Sequence, residues 1–208
     1  MTRIYALLAL AITTLMLAAT AAYVLIGRGG DRLAGCGGGT VVAGAETIGG
    51  PFELTRQDGV RVTEKEVITG PTLIYFGYTY CPDVCPVDTV RNAEAVSLLE
   101  EQGIDAVPVM ITVDPQRDTP EVLADYTGWM HPRMIGLTGS EAEVDAAAKA
   151  YKVYYAKRGA GEDYLMDHLT FTYLMAPDEG FLDFFERDAT AEEIAETVAC
   201  YADLTGGV

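Results

Sequence analysis

"TLIYFGYTYCPDVCPVDTV", residues Thr72 to Val90, runs from an apolar stretch into two cysteines spaced C-x-x-x-C and flanked by prolines. The stretch from Thr72 to Tyr78 shows little alternation, which reads as a strand buried on both faces. Proline suits the first position of a helix, and Gly103 suits an exit, so the pattern predicts a helix from Pro86 to about Glu101. Proline also disfavours helical geometry in the residue before it. Cys81 to Cys85 therefore reads as a loop that ends at the helix cap.

Outward from this unit the same signals recur. "FELT" and "VRVT" flank "RQDG", two short strands around an Asp-Gly turn. "VPVMITV" is a second buried strand. Thr119, Pro120 and Glu121 open a helix that ends near Met130, and "MIGLTG" is a short strand. "SEAE" is a capping box, Ser140 with Glu143, opening a helix to about Tyr151. "LTFTYLM" and "FLDFFE" are strands joined by "APDEG". "TAEE" is a second capping box, Thr190 with Glu193, and starts a last helix reaching about Leu204. The order implies an α/β domain with a mixed central sheet and an N-terminal hairpin. A cysteine pair between a buried strand and a helix start is where thioredoxin-like folds carry their reactive C-x-x-C.

That placement has a chemical reason. A helix amino terminus offers unpaired N–H groups and partial positive charge, which stabilise a thiolate. One extra residue over C-x-x-C lets the two sulfurs spread around a common third object without forbidding a disulfide. Dithiol redox chemistry, metal binding and a structural disulfide all remain open on spacing alone. A metal needs a third ligand, and the chain has two histidines, His131 and His168. His131, in "GWMHPRM" at a helix exit, reads as structural. His168 lies immediately before the "LTFTYLM" strand, and in thioredoxin-like folds the loop entering that strand faces the cysteine pair. Two thiolates and one imidazole form a soft, three-coordinate set that suits copper(I), whereas zinc normally takes a fourth ligand. Asp167 is a candidate to orient the imidazole.

The first residues differ from all that follows. From Ile4 to Ile26 there is neither charge nor proline, about 23 residues, long enough for a helix to cross a hydrocarbon layer of about 30 Å. No convincing cleavage site follows, so a retained anchor is expected over residues 1–28, then a glycine-rich tether over 29–50 and the folded domain over 51–208. "LAGC", ending at Cys36, is separated from the apolar run by charged residues, unlike a lipoprotein box. The net charge is −17, which reads as a well-solvated surface or as a docking field for a basic partner, and which repels phosphate backbones and so argues against nucleic-acid binding.

Three segments together, "CPDVCP", "TVDPQRDTP" and "DHLTFTYLMAPDEGF", resemble the Sco/SenC family of membrane-anchored copper chaperones, over about Gly49 to Leu204. The resemblance implies a thioredoxin-like fold and a single-pass anchor. It places the domain in the periplasm, or in the intermembrane space if the membrane is the mitochondrial inner one. It also implies copper binding, as Cu⁺ or Cu²⁺, by Cys81, Cys85 and His168, with delivery to the dinuclear copper centre of cytochrome c oxidase subunit II after loading by a copper donor protein. Two alternatives stand beside delivery: a thiol–disulfide oxidoreductase in which Cys81 and Cys85 reduce the cysteines of that centre, and a redox or copper sensor. Within "TVDPQRDTP", Asp114 and Pro115 read as a turn and Thr119 as a cap, with Arg117 and Asp118 near the site. Cys36 and Cys200 either bridge, pinning the tether, or remain separate thiols.

Overall fold

The apolar run after Pro71 forms the middle of a sheet. In the computed structural model, which describes residues 47–205 and, nearer the amino terminus, 5, 10, 12–20, 22 and 35–37, every residue of Thr72–Gly77 is buried. The chain falls into two compact units, Met1–Thr40 and Val41–Val208. In the first, residues 12–20 are helical. Among the described residues no helix is long and apolar enough to cross a membrane. The expected anchor and tether lie largely outside the described residues.

The second unit runs β1 (Glu53–Arg56), β2 (Arg61–Thr63), α1 (Glu64–Val67), β3 (Thr72–Gly77), α2 (Val84–Glu101), β4 (Val107–Thr112), α3 (Pro120–Met130) and β5 (Ile135–Thr138). It continues through α4 (Glu141–Ala150), β6 (Tyr155–Arg158), β7 (Leu165–His168), β8 (Thr172–Ala176), β9 (Gly180–Phe185) and α5 (Ala191–Thr205). Seven strands form one sheet in the order β2-β1-β5-β4-β3-β8-β9. β3, β4 and β5 are parallel, while β1 joins β5 and β8 joins β3 antiparallel. This is the mixed sheet of a thioredoxin-like fold.

Alternation along β3 distributes the layers, because successive strand residues point to opposite faces. Phe76 stacks on Tyr151 at the end of α4, with ring centroids 5.4 Å apart. Tyr75 faces the other way and reaches Asp88 on α2. Helices therefore cover both faces, with α5 packed beside α2. The hairpin turns at Gly59, whose φ of +83° suits glycine. Both predicted capping boxes form: Ser140 with Glu143 at α4, and Thr190 with Glu193 at α5. A third, Thr63 with Glu66, opens the short α1, which the sequence reading did not anticipate.

Two expectations need correction. Helix α2 starts at Val84, so Cys85 lies in its first turn and not in a loop before the cap. Pro86 is compatible with this because N–H groups of the first turn have no intrahelical acceptor in any case. His168 does not sit in a loop: it ends β7, which pairs with β6 as a separate two-stranded sheet. That hairpin went unseen in the sequence, and β8 begins only at Thr172.

Cys36 and Cys200 are each disulfide-bonded, whereas Cys81 and Cys85 are free thiols.

Candidate functional site

Helix α2 begins without a side-chain cap from Asp83. Its cap is a sulfur instead. The Cys85 N–H donates to Cys81 Sγ at 3.3 Å, and the backbone amides of Asp83 and Val84 also face that sulfur. Burial pushes the Cys81 thiol up, but the Cys85 thiol and these three amides together hold it below its ordinary range. Cys85 is fully buried; burial and the neighbouring Cys81 sulfur both push it up. Gly77 makes room for this packing, since a Cβ there would lie 2.6 Å from Cε1 of Tyr75 and 3.4 Å from Cys85 Sγ.

The structure brings His168 to the cysteines. Its Nε2 lies 3.3 Å from Cys85 Sγ, and its Nδ1 lies 2.9 Å from the Leu169 carbonyl. A carbonyl only accepts, so Nδ1 carries the proton and donates, and the lone pair of neutral imidazole sits on Nε2, facing the thiol. Burial lowers the His168 pKa, against the Leu169 carbonyl and the Asp88 and Asp167 carboxylates, and this favours the neutral ring. Tyr75 and Tyr78 meet the imidazole edge-on, with centroids 6.1 and 5.8 Å away. Asp167 does not orient the ring as expected; it is exposed and lies 3.4 Å from Arg158 Nε. Among the described residues no three His, Cys, Asp or Glu side chains are already gathered in metal-ligating geometry.

Beneath the site lies a polar network that the sequence reading missed. The Tyr75 hydroxyl donates to Asp88 Oδ2 at 3.1 Å. Arg91 and Arg187 approach the same carboxylate at 3.6 and 3.7 Å. Burial pushes Asp88 up, and these cations and Tyr75 oppose the shift. Its signal was present in the sequence: Asp88 and Arg91 follow Cys85 at successive helical turns, charges on a buried face.

The "TVDPQRDTP" segment braces the cysteine loop. Buried Asp118 accepts from the Thr79 N–H at 3.1 Å, from the Thr79 hydroxyl at 2.5 Å and from the Thr112 hydroxyl at 2.6 Å. Thr119 caps α3 as expected, accepting from Val122 N. His131 is structural, also as expected: it is buried at the far end of α2 from the cysteines, accepts from Arg133 N and lies 3.8 Å from Glu100.

Comparison with known proteins places the chain in a family. The family model described as SCO1/SenC matches residues 41–203. Protein SenC of Rhodobacter capsulatus is 52% identical over 199 residues, covering 95% of this chain and 90% of that one. The chain also matches mitochondrial SCO1 homologs of Arabidopsis thaliana and Homo sapiens, of which it spans about half the length. Among solved structures, Arabidopsis thaliana ScoI with copper bound superposes with a TM-score of 0.72 at 42% identity, covering 75% of this chain and 99% of that one. BsSco, a member of the Sco family of cytochrome c oxidase assembly proteins in which a disulfide switch has been identified, gives a TM-score of 0.60 at 27% identity, over 73% of this chain and 91% of that one.

Proposed function

The chain belongs to the SCO1/SenC family, and from that premise we propose that it is a copper chaperone acting in cytochrome c oxidase assembly. Copper is the cargo, held by Cys81 and Cys85 as thiolates and by His168 through Nε2. The observation that carries this reading is the 3.3 Å contact between Cys85 Sγ and His168 Nε2, with Nδ1 committed to a backbone carbonyl. The ring is thereby presented in the tautomer a metal requires. Two sulfurs and one nitrogen suit copper(I) by softness and number. Capture draws the three groups inward around the ion and releases the thiol protons. Release to the dinuclear centre of subunit II then proceeds by stepwise ligand exchange. In this reading residues 1–28 anchor the protein in the inner membrane, the domain lies on its outer side, and a separate donor protein supplies the metal.

The test is copper(I) titration of the reduced protein against a competing chelator. His168→Ala is expected to abolish tight one-to-one binding while dithiol–disulfide cycling of Cys81 and Cys85 continues. Equal affinity in parent and variant would rule out the three-ligand site.

The sulfur cap of α2 favours a second reading, thiol–disulfide exchange. Cys81, the more accessible sulfur, attacks a partner disulfide as thiolate and expels one partner thiolate, forming a mixed disulfide. Cys85 then gives up its proton and attacks Cys81, releasing the second partner thiolate and leaving a Cys81–Cys85 disulfide. His168 separates the two readings, because exchange needs only the sulfurs.

A further inference from the structure

The β6–β7 hairpin carries His168, yet among the described residues its strands pair only with each other and not with the seven-stranded sheet. Its seat beside the cysteine loop is therefore set by side chains. Tyr164, the residue before β7, is buried, and its hydroxyl donates to Asp114 Oδ1 at 2.6 Å. The Arg117 guanidinium lies 3.7 Å from the centroid of the Tyr164 ring and 4.7 Å from that of Tyr80. Its Nε donates to Asp114 Oδ2 at 2.5 Å and its Nη1 to the Glu162 carbonyl at 3.2 Å. Lys157 Nζ, from β6, lies 3.6 Å from the same Tyr164 centroid.

Arg117 thus joins three segments: Tyr80 in the cysteine loop, Asp114 in the turn after β4, and Glu162 with Tyr164 at the hairpin. Among the described residues its Nη2 is buried without a hydrogen-bond acceptor, which fits a planar group held partly by stacking on aromatic faces. A lysine could supply the charge but neither the plane nor the fork of donors.

We infer that Arg117 and Tyr164 form a clasp that fixes His168 beside the cysteine pair, making Arg117 a positioning residue for the third group of the site. From Tyr164 the chain enters β7 directly and ends it at His168. Four residues of extended strand make a stiff arm of about 13 Å, so displacement at the clasp is carried to the imidazole. The two thiols belong to α2 and its cap, which the clasp touches through the Tyr80 ring. The inference rests on the copper reading only where copper affinity is measured.

Two measurements on the full-length reduced protein test it. In metal-free protein, nuclear Overhauser contacts from the His168 ring to Tyr75 and Tyr78 report the seat of the imidazole. They are expected to be lost in Arg117→Ala and also in Arg117→Lys, and to persist in Tyr164→Phe, which keeps the stacking ring. In copper(I) titration, Arg117→Ala is expected to weaken binding by about 10- to 100-fold and to add nothing when combined with His168→Ala. Parental ring contacts in Arg117→Ala, or an equal loss of affinity with and without His168, would overturn the clasp. Should His168→Ala bind copper as tightly as the parent, the copper-ligand reading falls, and the ring contacts alone then decide the clasp. Should Arg117→Ala fail to fold, Arg117→Lys carries both measurements.

Discussion

At the scale of single residues, the cysteine loop depends on a carboxylate that never touches sulfur. Asp118 gathers three donors from Thr79 and Thr112, tying the start of the cysteine loop to the end of β4. Asp118→Ala leaves those donors without their acceptor, and a buried unsatisfied group costs about 1–3 kcal/mol. The expected result is a lower urea midpoint with an unchanged slope; an unchanged midpoint would mean that Asp118 does not brace the loop. Cys81, Cys85 and His168 could be named as candidates from the sequence because few residue types are so chemically distinctive, and the structure places His168 within 3.3 Å of Cys85. The partners that tune them were not. Tyr75 reads as one more apolar strand residue until its hydroxyl is seen on Asp88, and the acceptor that orients His168 is a backbone carbonyl, which no side-chain pattern encodes. Asp167 was the natural candidate, but strand alternation turns it away from its neighbour in sequence.

At the scale of elements, Glu143 shows how a helix cap and an ion pair share one carboxylate. It accepts from Ser140 N at 2.7 Å as the capping-box acid of α4. It also pairs with Arg61 of β2 at 2.6 Å. The Arg61 guanidinium and then the Ser140 donors hold its pKa down to about 2. A depressed carboxylate contributes stability above its unfolded pKa, and that contribution is lost as pH falls through the folded value. Both partners are partly exposed, so solvent screening keeps the contribution small. Glu143→Gln is expected to cost about 0.5–1 kcal/mol at pH 7. In chemical denaturation the gap should close between pH 4.5, the ordinary value, and about pH 2. A gap that held constant through this window would assign the cost to side-chain shape and not to charge. Elements with such local signals, both predicted capping boxes and the Asp-Gly hairpin, were readable in advance. The β6–β7 hairpin was not. Its strands are four residues each, they lack a turn signature as strong as Asp-Gly, and tertiary contacts hold them in place. The start of α2 was misplaced by two residues because the sulfur cap outweighs the bias that Pro86 puts on Cys85.

At the scale of the whole molecule, binding and stability are linked. The chain carries a net charge of −17, a field that repels phosphate backbones and steers basic partners. The proposed cargo sits where three separately anchored parts converge: the loop after β3, the first turn of α2 and the end of β7. A ligand that binds this arrangement and not the unfolded chain must stabilise the whole domain. Free copper(I) at about 100 times its dissociation constant adds about 2.7 kcal/mol, less whatever the unfolded thiols bind. For a domain of this size that raises the unfolding midpoint by roughly 5–11 °C. Scanning calorimetry of the reduced protein in a copper buffer checks the shift. His168→Ala should show a much smaller one. Protein oxidised to a Cys81–Cys85 disulfide should show none, because two of the three donors are then consumed. An equal shift in the oxidised protein would place copper elsewhere on this acidic surface and separate metal binding from the thiols altogether.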